Sequence, residues 1–149
     1  MHWKILTYNI HHGRNADGRI SLPRLAAVIS AEQPDLAALQ EVDRFLPRSR
    51  MRDQALVLAA HTGLHHAFAA NIRWLGFMQY GNAVLSRLPL LEQRRLSLPG
   101  TGEKRGLLIV RLTREKRTVI FLCTHLGLDR SERKQQLTAI RDSITLFTE

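Results

Sequence analysis

Short apolar runs alternate with amphipathic segments along this chain of 149 residues, with brief turns between them. That alternation constrains the fold more than any single motif does. Apolar runs of about 4–8 residues are strand signals, whereas an apolar stripe at 3.6-residue spacing signals a helix. Residues 3–10, 36–40, 65–70, 82–86, 107–112 and 118–123 read as strands. The last two, joined around Arg114-Glu115-Lys116-Arg117, suit an antiparallel hairpin. Ser21 can cap a helix whose stripe is Leu22, Leu25, Val28 and Ile29, with Pro23 in its first turn and Pro34 ending it. A second helix is expected over residues 53–60, burying Leu56, Ala59 and Ala60. A third starts at Ser131, with Leu137, Ile140, Ile144 and Phe147 on one face. The fold class is therefore α/β, a mixed sheet flanked by helices.

An apolar fraction of 44% excludes a disordered chain. The formal net charge of +9 favours anionic partners: phosphate esters, nucleic acid or an anionic lipid surface. Charge alone selects none of them. Cys123, the single cysteine, lies in an apolar run and reads as a small buried hydrophobe; it rules out an internal disulfide and a Cys-rich zinc site. No signal-peptide pattern or transmembrane-length run is present, so a cytoplasmic protein is the default expectation.

Glu41 follows directly on the strand 36–40, where a carboxylate at the carboxyl end of a buried strand is placed to hold a hard cation such as Mg²⁺, or is an ordinary solvated acid at a strand end. Asp43 is expected in the loop beyond it. Asn9 sits at the end of the first strand, where an amide can donate to a phosphate oxygen and orient a neighbouring carboxylate, or serve as a turn residue. His125 comes straight after the strand ending at Thr124; its imidazole suits hydrogen bonding to phosphate, proton relay or a structural role. His11-His12, close in sequence to Asn9, can line the same cleft. An inward-facing Asn82 at a strand start needs partners, and Gly81 beside it permits close backbone approach. Arg105 can grip a phosphate bidentately or be a solvated charge in Glu103-Lys104-Arg105. Arg133 and Gln136 are placed to clip the last helix to the loop carrying His125, with Asp129 and Ser131 as turn and cap residues. Arg44, Arg48, Arg50 and Arg52 form either a phosphate-contacting cluster or a solvated helix start. Residues 74–78, with Trp74, Phe77 and Met78, read either as an exposed loop able to grip an apolar or base-like group or as a satellite core cluster.

Taken together, Leu6-Thr7-Tyr8-Asn9-Ile10-His11, Leu39-Gln40-Glu41-Val42-Asp43, Tyr80-Gly81-Asn82-Ala83-Val84-Leu85-Ser86-Arg87 and Thr124-His125-Leu126 resemble the endonuclease/exonuclease/phosphatase superfamily of DNase I-like fold. Arg105-Gly106 and the Arg133/Gln136 pair are similar to one bacterial branch of it. The resemblance implies in-line attack of water on a phosphoester with Mg²⁺ or Mn²⁺. Glu41 would be the principal metal ligand. Asn9, Asn82 and His125 would surround the phosphoryl group, with Arg105, His11 and Tyr80 on the substrate side. The substrate would be nucleic acid, a phospholipid head group or a small phosphate ester.

The family's Gly-Asp-Phe-Asn and Asp-His segments have no counterpart before Glu149, and Asp142, within a helix, is no substitute. The expectation is therefore an N-terminal portion: residues 1–149 as one incomplete domain, half of the DNase I-like sandwich, without the C-terminal catalytic motifs. Such a half would expose an apolar face and need a homo-oligomer or a complementary C-terminal half. The alternative function is a catalytically incomplete half-domain, acting in self-association or in binding an anionic partner.

Overall fold

The computed structural model describes residues 2–145. Its strands are β1 (Ile5–Asn9), β2 (Leu36–Arg44), β3 (His65–Trp74), β4 (Met78–Ser86), β5 (Glu92–Ser97), β6 (Gly106–Arg114) and β7 (Arg117–Thr124). The helices are α1 (Leu22–Glu32), α2 (Gln54–Thr62) and α3 (Arg130–Thr145). One sheet has the order β1-β2-β4-β3, with β1 parallel to β2 and the other pairs antiparallel. The other is the antiparallel β5-β6-β7.

Period-two alternation sorts each apolar strand between two cores. Ala37 and Leu39 of β2, with Ala83 and Leu85 of β4, face Leu22, Leu25 and Ile29 of α1 and Ala55 and Leu58 of α2. The intervening Leu36, Ala38 and Val84 meet Leu108, Val110, Leu112 and Cys123 of the second sheet. Leu107 and Ile109 point the other way, toward Ala139 and Ile140 of α3. The layers thus run helix, sheet, sheet, helix. Cys123 is buried between the sheets, and burial pushes its thiol up to about 12.

This corrects the expectation of half a sandwich with a bare face: the second sheet and a helix covering its far side come from the chain itself. β5 escaped notice because Glu92-Gln93-Arg94-Arg95 has no apolar pattern. Smaller corrections follow. Asp53 caps α2 by accepting from the Leu56 N–H at 3.1 Å, which puts Ala55, Leu58 and Ala59 inward and leaves Leu56 exposed. Ser21 occupies the cap position of α1 without a side-chain bond, and Val28 is exposed. Asp129, not Ser131, caps α3, accepting from the Glu132 N–H at 2.9 Å. The inward face of α3 is Gln136, Ile140 and Ser143; Leu137 and Ile144 are exposed, and Phe147 lies outside the described residues. Trp74 ends β3 and Met78 begins β4, so residues 74–78 form the tip of a hairpin. No helix among the described residues is long and apolar enough to cross a membrane.

Candidate active site

β1 ends at Asn9, opposite Gln40 in the interior of the parallel β2, which runs on to Arg44, so Glu41 lies within β2 and not just beyond a strand ending at residue 40 as expected. Just beyond, the register of β2 against β4 slips between Leu39 and Val42, whose partners are Ala83 and Gly81. Gln40 and Glu41 therefore share the single β4 position of Asn82, which is a β-bulge. Glu41 adopts a φ of 57°, sparsely populated by residues other than glycine. Its carboxylate is held from the end of β1: Asn9 Nδ2 donates to Oε1 at 2.9 Å, while Asn9 Oδ1 accepts from the His11 N–H at 3.0 Å.

After β1 the chain enters a tight turn, His11–Gly13. His11 and His12 have φ values of 47° and 56°, and their rings stack with centroids 5.0 Å apart. His11 Nδ1 lies 3.2 Å from Glu41 Oε2, and His12 Nε2 lies 3.8 Å from the same oxygen. One ligand atom from each of His11, His12 and Glu41 falls within 4.8 Å of the others. This is a candidate divalent-metal site. Its donor chemistry fits: burial alone would raise the Glu41 pKa, but bonds from Asn9 and His11 and the nearness of His12 and His125 bring it below its ordinary value. Glu41 is thus ionised, as a ligand must be.

Behind the turn, Asp43 is completely buried within β2, not in a loop as expected. Arg48 grips it with Nε and Nη2 at 2.8 and 2.7 Å. Gln54, also fully buried, accepts from the Asp43 N–H at 2.9 Å and donates to the His12 carbonyl at 2.6 Å. His12 Nδ1 is buried without a hydrogen-bond partner and lies 3.8 Å from Asp43 Oδ1. Burial, then Arg48, lowers the His12 pKa against the opposing pull of Asp43 and Glu41. Tyr80 is buried beside His12, ring centroids 5.6 Å apart. Burial, then Glu41, raises its phenol well above the ordinary range.

His125, at the end of β7, approaches Glu41 from the second sheet, Nδ1 lying 4.0 Å from Oε1. Arg105 Nη1 donates to His125 Nδ1 at 3.1 Å and lies 2.9 Å from Glu103 Oε1. Burial, then Arg105, lowers the His125 pKa. The following loop is clipped to α3 as expected: Gln136 Oε1 accepts from the Gly127 N–H at 2.8 Å, and Arg133 donates to the Gly127 carbonyl at 3.2 Å.

Of the expected site residues, Asn9, His11, Glu41 and His125 converge, with Arg105 joined to His125. Tyr80 lies beneath His12. Asn82 lies opposite the Gln40-Glu41 bulge; its Nδ2 donates to the Gly106 carbonyl at 3.0 Å, tying β4 to the start of β6, and its Oδ1 is buried without a hydrogen-bond partner. Sequence reasoning placed His12 with His11 in the cleft and Arg48 in a cluster either contacting phosphate or solvated, but it gave Asp43 and Gln54 no part in the site. The His11-His12 doublet was a signal for His12, but nothing in the text of residues 43–54 shows that they fold back beneath it. Arg44 and Arg48 are paired with Asp53 and Asp43, so they do not form an open phosphate patch. A basic groove exists elsewhere, a cavity of ≈ 490 Å³ lined by Asn71, Arg73, Arg95, Lys104 and Arg105 among others.

A family model described as "Endonuclease/Exonuclease/phosphatase family" matches residues 6–146. An endonuclease/exonuclease/phosphatase structure from Beutenbergia cavernae is 28% identical with a TM-score of 0.76; the match covers 94% of this chain and 43% of that one. A family protein from Leptotrichia buccalis is 20% identical with a TM-score of 0.69, covering 93% of this chain and 61% of that one. D. rerio TDP2, complexed with single strand DNA product, is 21% identical with a TM-score of 0.69, covering 96% and 54%. The chain thus spans between 43% and 61% of the length of these proteins. No curated protein matches it. The family match runs almost the whole chain, which corrects its reading as merely an N-terminal portion. The expectation that the catalytic motifs are absent is corrected as well, by the assembled His11, His12 and Glu41 cluster within that match.

Proposed function

Because the chain belongs to the Endonuclease/Exonuclease/phosphatase family, matched over residues 6–146, we propose that it is a divalent-metal-dependent phosphoester hydrolase centred on Glu41. The observation that carries this reading is the convergence of Asn9, His11, His12 and His125 on one ionised carboxylate at a strand bulge. Glu41, His11 and His12 would hold a divalent ion. Bound there, it would polarise a phosphoryl oxygen and make water a better nucleophile for in-line attack.

The chain's own groups supply the rest. Asn9 fixes the Glu41 carboxylate from one side and the His11 turn from the other. His125, neutral and with its proton on Nε2, donates a hydrogen bond to a phosphoryl oxygen as negative charge builds there. Arg105 sets that tautomer. Asn82 anchors the first residue of β6, which follows Arg105 directly. Tyr80 backs the His12 ring. The groove of Arg73, Arg95 and Lys104 shares Arg105 with this centre and supports an extended polyanion, a phosphodiester strand, over a small monoester.

Hydrolysis of bis(p-nitrophenyl) phosphate, p-nitrophenyl phosphate and a single-stranded oligonucleotide, with and without EDTA, tests the reading. Diester cleavage should stop with EDTA, return with added ion, and fall ~10²-fold or more in Glu41→Gln. Cleavage indifferent to EDTA or to that substitution would overturn the proposal. Cleavage confined to the monoester would overturn its diester part.

A further inference from the structure

We propose that the His11, His12 and Glu41 centre selects an imidazole-binding first-row transition ion of the Fe²⁺, Co²⁺ or Zn²⁺ class over Mg²⁺, and that buried Asp43 positions His12 for it through Nδ1. The inference rests on the metal-site half of the proposed function and deepens it.

The donor set is the first argument. Mg²⁺ demands oxygen ligands in near-ideal octahedral geometry and parts reluctantly with its water. Imidazole suits the later divalent ions, whose affinity for nitrogen sites rises from Mn²⁺ toward Cu²⁺. Here two imidazoles and one carboxylate share a face, with ligand atoms no more than 4.8 Å apart. Donors about 2.0–2.2 Å from a common tetrahedral ion stand roughly 3.3–3.6 Å apart, so closure takes on the order of 1 Å of side-chain movement. The His11 side chain, 62% exposed, is free to move that far.

The backbone is the second argument. Consecutive left-handed residues are uncommon outside glycine, yet His11 and His12 both adopt them. This brings both rings to Glu41, where an extended pair would send successive side chains to opposite sides. The turn is held open to neither alternative: Asn9 Oδ1 binds the His11 N–H, and Gln54 binds the His12 carbonyl.

The third argument is what lies behind His12. Its Nε2 faces Glu41 and its Nδ1, buried and unpartnered, faces Asp43 at 3.8 Å. Metal-binding histidines characteristically donate the second ring N–H to a carboxylate, which fixes the tautomer that leaves the other nitrogen free for the ion. Asp43 is itself immobilised by the Arg48 fork and by Gln54 through its backbone. A hard-ion site built on Glu41 alone has no use for this arrangement.

The test is direct binding to the full chain, freed of metal by chelation. Titration with Co²⁺, followed by its visible absorption, is compared with calorimetric titration of Zn²⁺ and Mg²⁺. We expect one Co²⁺ or Zn²⁺ per chain, bound ~10²-fold or more tightly than Mg²⁺. His11→Ala and His12→Ala should each weaken Co²⁺ and Zn²⁺ by ~10-fold or more and shift the cobalt spectrum, with Mg²⁺ changed less than about threefold. Equal affinity for Mg²⁺, or cobalt binding untouched by both substitutions, overturns the selectivity. Replacing Asp43 would strand Arg48 and endanger the fold, so its role is read on the unmutated chain. The Co²⁺ form should show a slowly exchanging, hyperfine-shifted His12 ring proton that is missing in His12→Ala. Its absence overturns the Asp43 assignment. Tight cobalt binding without hydrolysis would uphold this inference and sink the proposed activity; Mg²⁺-driven hydrolysis indifferent to both histidines would do the reverse.

Discussion

Arg105 Nη1 donates to His125 Nδ1 across 3.1 Å, and that one bond decides what the imidazole can do. A guanidinium has no acceptor, so Nδ1 must be the unprotonated nitrogen and Nε2 must carry the hydrogen. The bond joins the residue ahead of β6 to the residue after β7, both at the same end of that sheet. Its consequence is a neutral imidazole whose Nε2–H is free of Arg105 and available to donate.

Removing the guanidinium should therefore alter a titration. Burial, then Arg105, holds the His125 pKa below its ordinary value, so the ring stays neutral until the pH has fallen through that depressed value. In Arg105→Gln the neighbouring charge is gone, the pKa rises, and protonation begins at higher pH. NMR titration of the His125 ring in metal-free protein should show this upward move. Phosphodiester kcat/KM at neutral pH should fall roughly 10- to 100-fold, the worth of one charge-assisted bond. An unmoved ring titration would remove Arg105 from the role assigned to it.

Glu41 places function and stability in opposition. Its left-handed backbone costs roughly 1–2 kcal/mol that a glycine would not pay, and a glycine returns about 0.5–1 kcal/mol of that through unfolded-state entropy. Glu41→Gly should therefore leave denaturant stability unchanged or up to about 1 kcal/mol higher, while abolishing metal binding. A marked loss of stability would mean that the bonds from Asn9 and His11 do more for the fold than the bulge costs it.

What was legible in the sequence follows from how locally each feature is determined. Strands buried on both faces, such as Leu36-Ala37-Ala38-Leu39, declare themselves as unbroken apolar runs, and the β6–β7 hairpin does so by its paired apolar runs and charged turn. Glu41 was visible as a carboxylate after the apolar run 36–40, although β2 carries on past it to Arg44. β5 was not, because an edge strand with one wet face has no need of an apolar pattern, and Glu92-Gln93-Arg94-Arg95 has none. Without β5, residues 92–124 could not be seen to make a second sheet, and the sandwich looked halved. The burial of Asp43 was illegible for another reason. The bulge at Gln40-Glu41 shifts the register by one, reversing which face the next residues take. Nothing in Leu39-Gln40-Glu41-Val42-Asp43 announces that slip.

Gly81 is where the two bulged strands press hardest on β4. It pairs with Val42 just past the β2 bulge and with Ala70 just before the irregularity in β3. A Cβ built there would stand 2.0 Å from the Ala69 carbonyl oxygen, which is backbone and cannot step aside. Gly81→Ala should cost about 3 kcal/mol or more in equilibrium unfolding. Gly76, with a positive φ but nothing within 4 Å of an added Cβ, supplies the control. Its alanine variant should lose only about 1–2 kcal/mol, the backbone cost alone. Equal losses at the two positions would show that the close packing around β4 is relieved elsewhere.

The basic groove separates substrates by length. Arg73 on β3 and Arg95 on β5 come from edge strands of different sheets, and Lys104 precedes Arg105 on the approach to β6. Positive charge gathered along a cavity of ≈ 490 Å³ that ends at a site residue suits a phosphate backbone laid along it. Charge reversal in Arg73→Glu/Arg95→Glu should weaken single-stranded oligonucleotide binding and flatten its salt dependence. With about 0.7 counterions released per neutralised phosphate, losing two contacts lowers the slope of log K against log salt by roughly 1.4. The KM for bis(p-nitrophenyl) phosphate, too small to reach beyond the Glu41 centre, should stay within about twofold, since screened surface charges act weakly beyond a Debye length of roughly 8–10 Å. If both substrates suffer alike, the groove is part of the centre itself; if neither does, the strand lies along another face.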